Sequence, residues 1–205
     1  MNRAIFLDRD GTISTKEGIH EHPEYVELFP FTIDVIKKIN QSPFLVIIAT
    51  NQAGIGRGYF PVEKLIESFK KVQNELIAKD TYINGFYYCP HREDATIDKY
   101  KIKCACRKPG SGMLLKAAQD FDIDLENSYM IGDTMADIGA GLNAGLKTGL
   151  VLTGDTVMQK DEVETFHPDF IFPNIEQAVD TILSLENFSG LKKEIKKDLF
   201  FIREC

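Results

Sequence analysis

An apolar run, Ala4-Ile5-Phe6-Leu7, ends in Asp8-Arg9-Asp10-Gly11-Thr12, and this ending narrows what the chain can become. A short buried strand delivers Asp8 and Asp10 to its C-terminal end on one side, because strand side chains alternate. Gly11 lets the chain turn away at once, and the Thr12 hydroxyl can tie the turn. Two carboxylates this close repel unless a cation or a shared proton relieves them. Metal-assisted phosphoryl transfer through a carboxylate nucleophile is the chemistry that uses such a pair. Calcium loops also begin Asp-x-Asp-Gly, but the twelfth position, where they need Glu, is Ile19 here.

The 205 residues suffice for one domain with a substantial core, expected over 1–186, with 187–205 as a tail or helix packed on it. A net charge of −7 argues against general nucleic-acid binding, and no apolar run reaches the roughly 20 residues that span a bilayer. The first residues lead into a strand without a basic-then-apolar leader, so a cytoplasmic protein is expected, and no long exposed apolar stripe is evident, so a monomer is expected. Its partner is expected to be a small phosphorylated molecule, with no nucleic acid and no membrane.

Strand-like runs at 3–7, 44–50, 85–89, 128–131, 148–152 and 169–172 alternate with helical patterns at 32–41, 62–79, 112–121, 135–144 and 175–186. Val62, Leu65, Ile66, Phe69, Val72, Leu76 and Ile77 fall on one face of the second helix. This alternation predicts an α/β fold of three layers, a mostly parallel sheet with helices on both sides. Such sheets bind ligands beyond the C-terminal strand ends. The segments after Thr12 and after Thr50 are too short for a separate cap domain, which predicts an open site. In the tail, Leu191, Ile195 and Leu199 are spaced for a surface helix.

Further residues fall at strand ends. Thr50-Asn51-Gln52 precedes a Gly-rich stretch, residues 53–58, read as a flexible loop whose N–H groups can hold a phosphate. Gly132-Asp133 follows another strand, and Asp133 beside Asp8 and Asp10 makes an oxygen site for Mg²⁺. Asp137, one helical turn on, can orient that site, while Asp133 or Thr134 can also cap the helix. Cys89, His91, Cys104 and Cys106 form a closed tetrahedral set for structural Zn²⁺. The clustering of three of the four cysteines does not suggest a secreted disulfide framework. Arg107 and Lys108 follow the last thiol, so the metal would aim a phosphate-forking guanidinium and a neutralising ammonium. His20 and His22 flank Glu21 in a polar loop near the expected site mouth.

The order of these motifs resembles the haloacid dehalogenase (HAD) superfamily of phosphatases, whose Rossmann-like fold it implies. Residues 3–153 are similar to its histidinol-phosphatase and D-glycero-D-manno-heptose 1,7-bisphosphate phosphatase family, the zinc loop being the specific element. The resemblance implies that Asp8 is the nucleophile forming an aspartyl-phosphate and that Asp10 is the acid and base. Asp8, the Asp10 carbonyl and Asp133 would hold Mg²⁺. Thr50, Asn51 and Lys108 would bind the phosphoryl group, and Arg107 would recognise the substrate. Gly18, Ile19, His20, Glu21, Ala53 and Gly54 would border its pocket. Thr134 stands where heptose-phosphatase relatives often carry Lys, Phe31 where they usually have Gly, and Gly110-Ser111 replaces a second proline segment; these departures bear on substrate identity. The expected activity is removal of the 7-phosphate of heptose 1,7-bisphosphate. Histidinol phosphate is the alternative substrate and a nucleic-acid 3′-phosphate a third. A zinc-stabilised binding module without catalysis is the reading from another class.

Overall fold

Ala4 to Leu7 are wholly buried, so the strand they form, β1 (Arg3–Leu7), is covered on both faces. The computed structural model describes residues 1–15, 22–154, 166–187 and 200–205. β1 is followed by α1 (Thr32–Asn40), β2 (Phe44–Asn51), α2 (Ala53–Gly56), α3 (Val62–Ile77), β3 (Gly85–Cys89) and α4 (Gly112–Phe121). Then come β4 (Tyr129–Gly132), α5 (Met135–Ala144), β5 (Lys147–Val151), β6 (Phe170–Phe172), α6 (Ile175–Leu185) and β7 (Phe201–Glu204). Among the described residues seven strands run in the order β6-β5-β4-β1-β2-β3-β7, and each pairing between them is parallel.

Strand alternation sorts the core into two layers. Ile5, Leu7, Val46, Ile48, Phe86 and Tyr88 pack with Val35, Phe69 and Val179 of α1, α3 and α6. Ala4, Phe6, Leu45, Ile47, Ala49 and Tyr87 pack with Met113 and Ala117 of α4 and Ala140 of α5. At Gly141 the α5 backbone approaches the sheet closely: a Cβ there would meet the Thr148 methyl at 2.6 Å.

The strand order reverses at β1. Leu7 pairs with Ile48 on one side and Ile131 on the other, so the chain ends of β1, β2 and β4 open into one crevice. The structure thus has the predicted α/β architecture, with helix and strand bounds shifted by one or two residues at several ends.

Three local expectations give way. Residues 53–56 form a helical turn rather than a flexible loop, because Ile55 is buried and anchors it. Ile77 is 56% exposed at the edge of the α3 stripe. Ser68 and Gln73 are the buried polar residues on that helix, and the Gln73 amide exchanges two hydrogen bonds of 3.0 Å with the Ile83 backbone. Residues 201–204 are an edge strand and not part of a helix; Leu191, Ile195 and Leu199 lie outside the described residues. Aromatic and β-branched residues favour that outcome. Phe200 meets the Phe86 ring at 5.6 Å and Phe201 meets Phe121 at 5.3 Å, both edge-on.

Phe69 stacks on Phe86 at 4.5 Å and lies under the Arg9 guanidinium. Phe69→Ala is expected to lower unfolding free energy by about 3–5 kcal/mol in urea titrations. A loss below about 1 kcal/mol would contradict this packing account.

Candidate active site

At the end of β1 the Asp8 N–H bonds the Ile131 carbonyl of β4 at 3.0 Å, which fixes where the side chain leaves the sheet. Gly11 then adopts φ +87°, a left-handed turn that suits glycine. The Gly11 N–H reaches the Ser14 carbonyl at 2.7 Å, and its own carbonyl accepts the Thr153 hydroxyl at 2.7 Å. Arg9, between the two carboxylates, is fully buried over the Phe69 ring. Its Nε and Nη2 fork the Asp10 carboxylate at 2.6 and 2.8 Å. Gln52 Nε2 donates to Asp10 Oδ2 and to the Thr50 hydroxyl oxygen, both at 2.9 Å.

Lys108 stands opposite. Its buried ammonium reaches Asp8 Oδ1 at 2.7 Å, Asp137 Oδ1 at 2.5 Å and the Ala49 carbonyl of β2 at 2.7 Å. Burial opposes its charge, but Asp137 and Asp8 outweigh burial and hold its pKa above that of an ordinary lysine. Asn51 grips the Lys108 peptide from both sides, accepting its N–H at 3.0 Å and donating to its carbonyl at 3.1 Å. The Asn51 amide therefore positions Lys108.

Asp137 joins two tasks. Its Oδ2 accepts the Thr134 N–H at 3.0 Å and the Thr134 hydroxyl at 2.7 Å, which caps α5, while Oδ1 faces Lys108. Thr134 thus acts as the helix cap that the sequence allowed. Asp133, wholly buried at the end of β4, lies 3.3 Å from the Thr12 hydroxyl.

Carboxylate oxygens of Asp8, Asp133 and Asp137 lie within 4.8 Å of one another. The Asp10 side chain is not in this group; Asp137 supplies the third carboxylate. Burial pushes the Asp8 carboxyl up to about 7, and Asp137, Asp133 and Asp10 push the same way against Lys108. Three buried carboxylates against one ammonium leave negative charge that a hard divalent cation such as Mg²⁺ fits.

The second cluster lies at the end of β3. Cys89 Sγ is 3.4 Å from Cys104 Sγ and 3.6 Å from His91 Nδ1, a spacing and donor set that suit Zn²⁺. Burial pushes the Cys89 thiol up to about 12, a penalty that metal ligation reverses. Cys106 departs from the expected fourth position, being disulfide-bonded to Cys205. The loop also has packing of its own. Ala95 and Tyr100 are buried, and Thr96 and Ile97 N–H groups bond the Gly56 carbonyl of α2 at 3.0 and 3.1 Å.

A cavity of about 360 Å³ opens over these groups. Asp8, Asp10, Thr50, Asn51, Ala53, Gly54, Arg107 and Lys108 line it, as does Thr134. Gly18, Ile19, His20 and Glu21 lie outside the described residues. Sequence reasoning missed Arg57 and Arg92, which add positive charge to the lining, and the clamps Arg9 and Gln52. Arg9 and Gln52 were legible as polar residues adjoining strand ends; Arg57 and Arg92 carry no local signal. Arg107 Nη1 bonds the His91 carbonyl at 3.4 Å. Burial, then Arg92 and Arg57, hold the Arg107 pKa below the usual arginine value.

The chain has relatives among known proteins. The chain is 37% identical over 163 residues to a D-glycero-beta-D-manno-heptose-1,7-bisphosphate 7-phosphatase of Haemophilus influenzae, covering 79% of this chain and 88% of that one. It belongs to the HAD phosphatase family. Residues 105–178 match the HAD-hydrolase-like family model. An Escherichia coli K12 protein with the same heptose phosphatase name is 34% identical over 194 residues, 95% of this chain and 94% of its own length. Among solved structures, the D,D-heptose 1,7-bisphosphate phosphatase from B. bronchiseptica, complexed with magnesium and phosphate, superposes with a TM-score of 0.76 at 27% identity. That match covers 89% of this chain and 99% of the other. As a HAD phosphatase the chain is a phosphoric monoester hydrolase with the Rossmann-like fold, and no helix among its described residues is long and apolar enough to cross a membrane.

Removing Asp137 strips Lys108 of a buried partner and α5 of its cap. Asp137→Ala is expected to lower unfolding free energy by about 3 kcal/mol or more, against about 1 kcal/mol for Thr134→Ala, which loses only the capping hydroxyl. Equal losses in urea titrations would show that the Lys108 contact adds nothing.

Proposed function

We propose that this chain hydrolyses the 7-phosphate of D-glycero-β-D-manno-heptose 1,7-bisphosphate through a covalent phosphoryl intermediate on Asp8. The observation that carries the chemistry is the placement of Asp8 beside Lys108 in a cavity also lined by Arg57, Arg92 and Arg107, with the clamped Asp10 in the same lining. The names and identities of the relatives support the substrate.

In this reading an Asp8 oxygen attacks phosphorus and the bond from phosphorus to the sugar oxygen breaks. Asp10 gives its proton to that oxygen, then takes one from the water that attacks the acyl phosphate, releasing phosphate and restoring Asp8. Arg9 and Gln52 hold Asp10 in place through both steps, and Gln52 orients the Thr50 hydroxyl. Lys108 balances charge that grows on the phosphoryl oxygens. Mg²⁺ on Asp8 and Asp133 would supply further charge neutralisation when bound. Zn²⁺ on Cys89, His91 and Cys104, joined by Cys106 when that thiol is reduced, would brace the loop that carries Arg107 and Lys108. Thiolate ligands suit a reducing compartment, in keeping with a cytoplasmic enzyme, and we propose that it works as a monomer.

The test compares kcat/KM for heptose 1,7-bisphosphate and histidinol phosphate with Mg²⁺ present. A preference of about 100-fold for the heptose, roughly 2.7 kcal/mol of transition-state binding, is expected. The opposite preference would overturn the substrate. Asp8→Asn should lower Mg²⁺-dependent hydrolysis of an aryl phosphate by about 1,000-fold or more; unchanged turnover would overturn the mechanism.

A further inference from the structure

The expected zinc set contains three cysteines, yet the structure brings a fourth to the same place. The sheet does this through register. β7 pairs in parallel with β3, Tyr88 opposite Glu204, so the next step sets Cys205 beside Cys89. The Cys205 N–H bonds the Tyr88 carbonyl at 3.1 Å, which holds that alignment beyond the last strand residue. Cys104, Cys106 and Cys205 all pack on the apolar cluster that contains Cys89. Cys106 is bonded to Cys205 across 99 residues of sequence, while Cys89, His91 and Cys104 stay grouped for a metal.

Cys106 therefore has two competing uses. Ligated to Zn²⁺ it would close a four-donor site; bonded to Cys205 it leaves three donors and an open position. Cys106 and Cys205 are both partly exposed, as is Cys104, whereas Cys89 is buried, so a small reagent in solvent has access to the Cys106–Cys205 pair.

We propose that Cys106 and Cys205 form a reversible thiol-modification site attached to the zinc cluster: reduction gives Cys106 to the metal, and oxidation gives it to Cys205. The inference rests on the zinc reading given above. The oxidant is a low-molecular-weight disulfide such as oxidised glutathione. Cys205 thiolate attacks one of its sulfurs, making a mixed disulfide and expelling one thiolate. Cys106 then leaves the metal and attacks the Cys205 sulfur, expelling the second thiolate. The two protein sulfurs lose two electrons to the small disulfide. The two small thiols take up the Cys205 proton and one proton from solvent.

The experiment uses the full chain, reduced and then freed of reductant. Metal content is read by mass spectrometry, zinc release by a chelating dye during exposure to oxidised glutathione, and bonded peptides by mass mapping. The reduced protein should hold one equivalent of zinc. Oxidation should release zinc while a Cys106–Cys205 peptide appears, and dithiothreitol with added zinc should reverse both. Cys205→Ser should keep the zinc when reduced and release it about tenfold more slowly under oxidation, since the neighbouring thiol is gone. Less than half an equivalent in the reduced wild type overturns the zinc reading and this proposal with it. A full equivalent overturns the proposal alone if Cys205→Ser releases zinc at the wild-type rate or if the wild type forms no Cys106–Cys205 peptide. The peptide map of the wild type decides the matter even if the variant does not fold.

Discussion

A buried ammonium organises this molecule. Lys108 touches a carboxylate from the end of β1, a carboxylate from the first turn of α5 and a carbonyl of β2, so one cation links three separate segments of the chain. Taking such charges out of water is expensive, and the arrangement is sustainable because each has a close opposite partner. The same compensation keeps Lys108 charged in the cavity where a phosphoryl group would lie. Stability and reactivity thus draw on one set of contacts.

The remaining architecture delivers these groups to one point. Reversal of strand order at β1 brings the ends of β1, β2 and β4 together, and each end contributes a polar side chain: Asp8, Thr50 and Asp133. Lys108 lies on no strand. It is aimed by the amide of Asn51 and by the loop after β3, which leans on α2 through the Gly56 carbonyl. The loop thus joins the cysteine cluster at the sheet edge to the carboxylates at its centre, and Arg107 and Lys108 sit at the join.

Much of this was legible in the sequence, for physical reasons. Continuous apolar runs at β1 and β2 can only be strands covered on both faces, and the polar residues that end them had to sit at the sheet's C-terminal edge. The cysteine and histidine spacing marked a cluster without any knowledge of the fold. What escaped depended on partners distant in sequence. That the Asn51 amide holds the Lys108 peptide is seen only once the fold brings the two together. That Arg9 is buried over Phe69 has no local signal either. The strand at 201–204 was hidden because its register against β3 is set by tertiary packing, and with it the meeting of Cys205 and Cys106. Neither periodicity nor local spacing encodes such pairings.

The proposed chemistry turns on Asp8 as the group that takes the phosphoryl unit. Rapid acid quenching of a single turnover of heptose 1,7-bisphosphate, followed by peptide mass analysis, measures this directly. A transient peptide containing Asp8 and carrying the mass of one phosphoryl group is expected, rising before free phosphate and then decaying. Release of phosphate with no such peptide, or with the phosphoryl group on another residue, would contradict that chemistry.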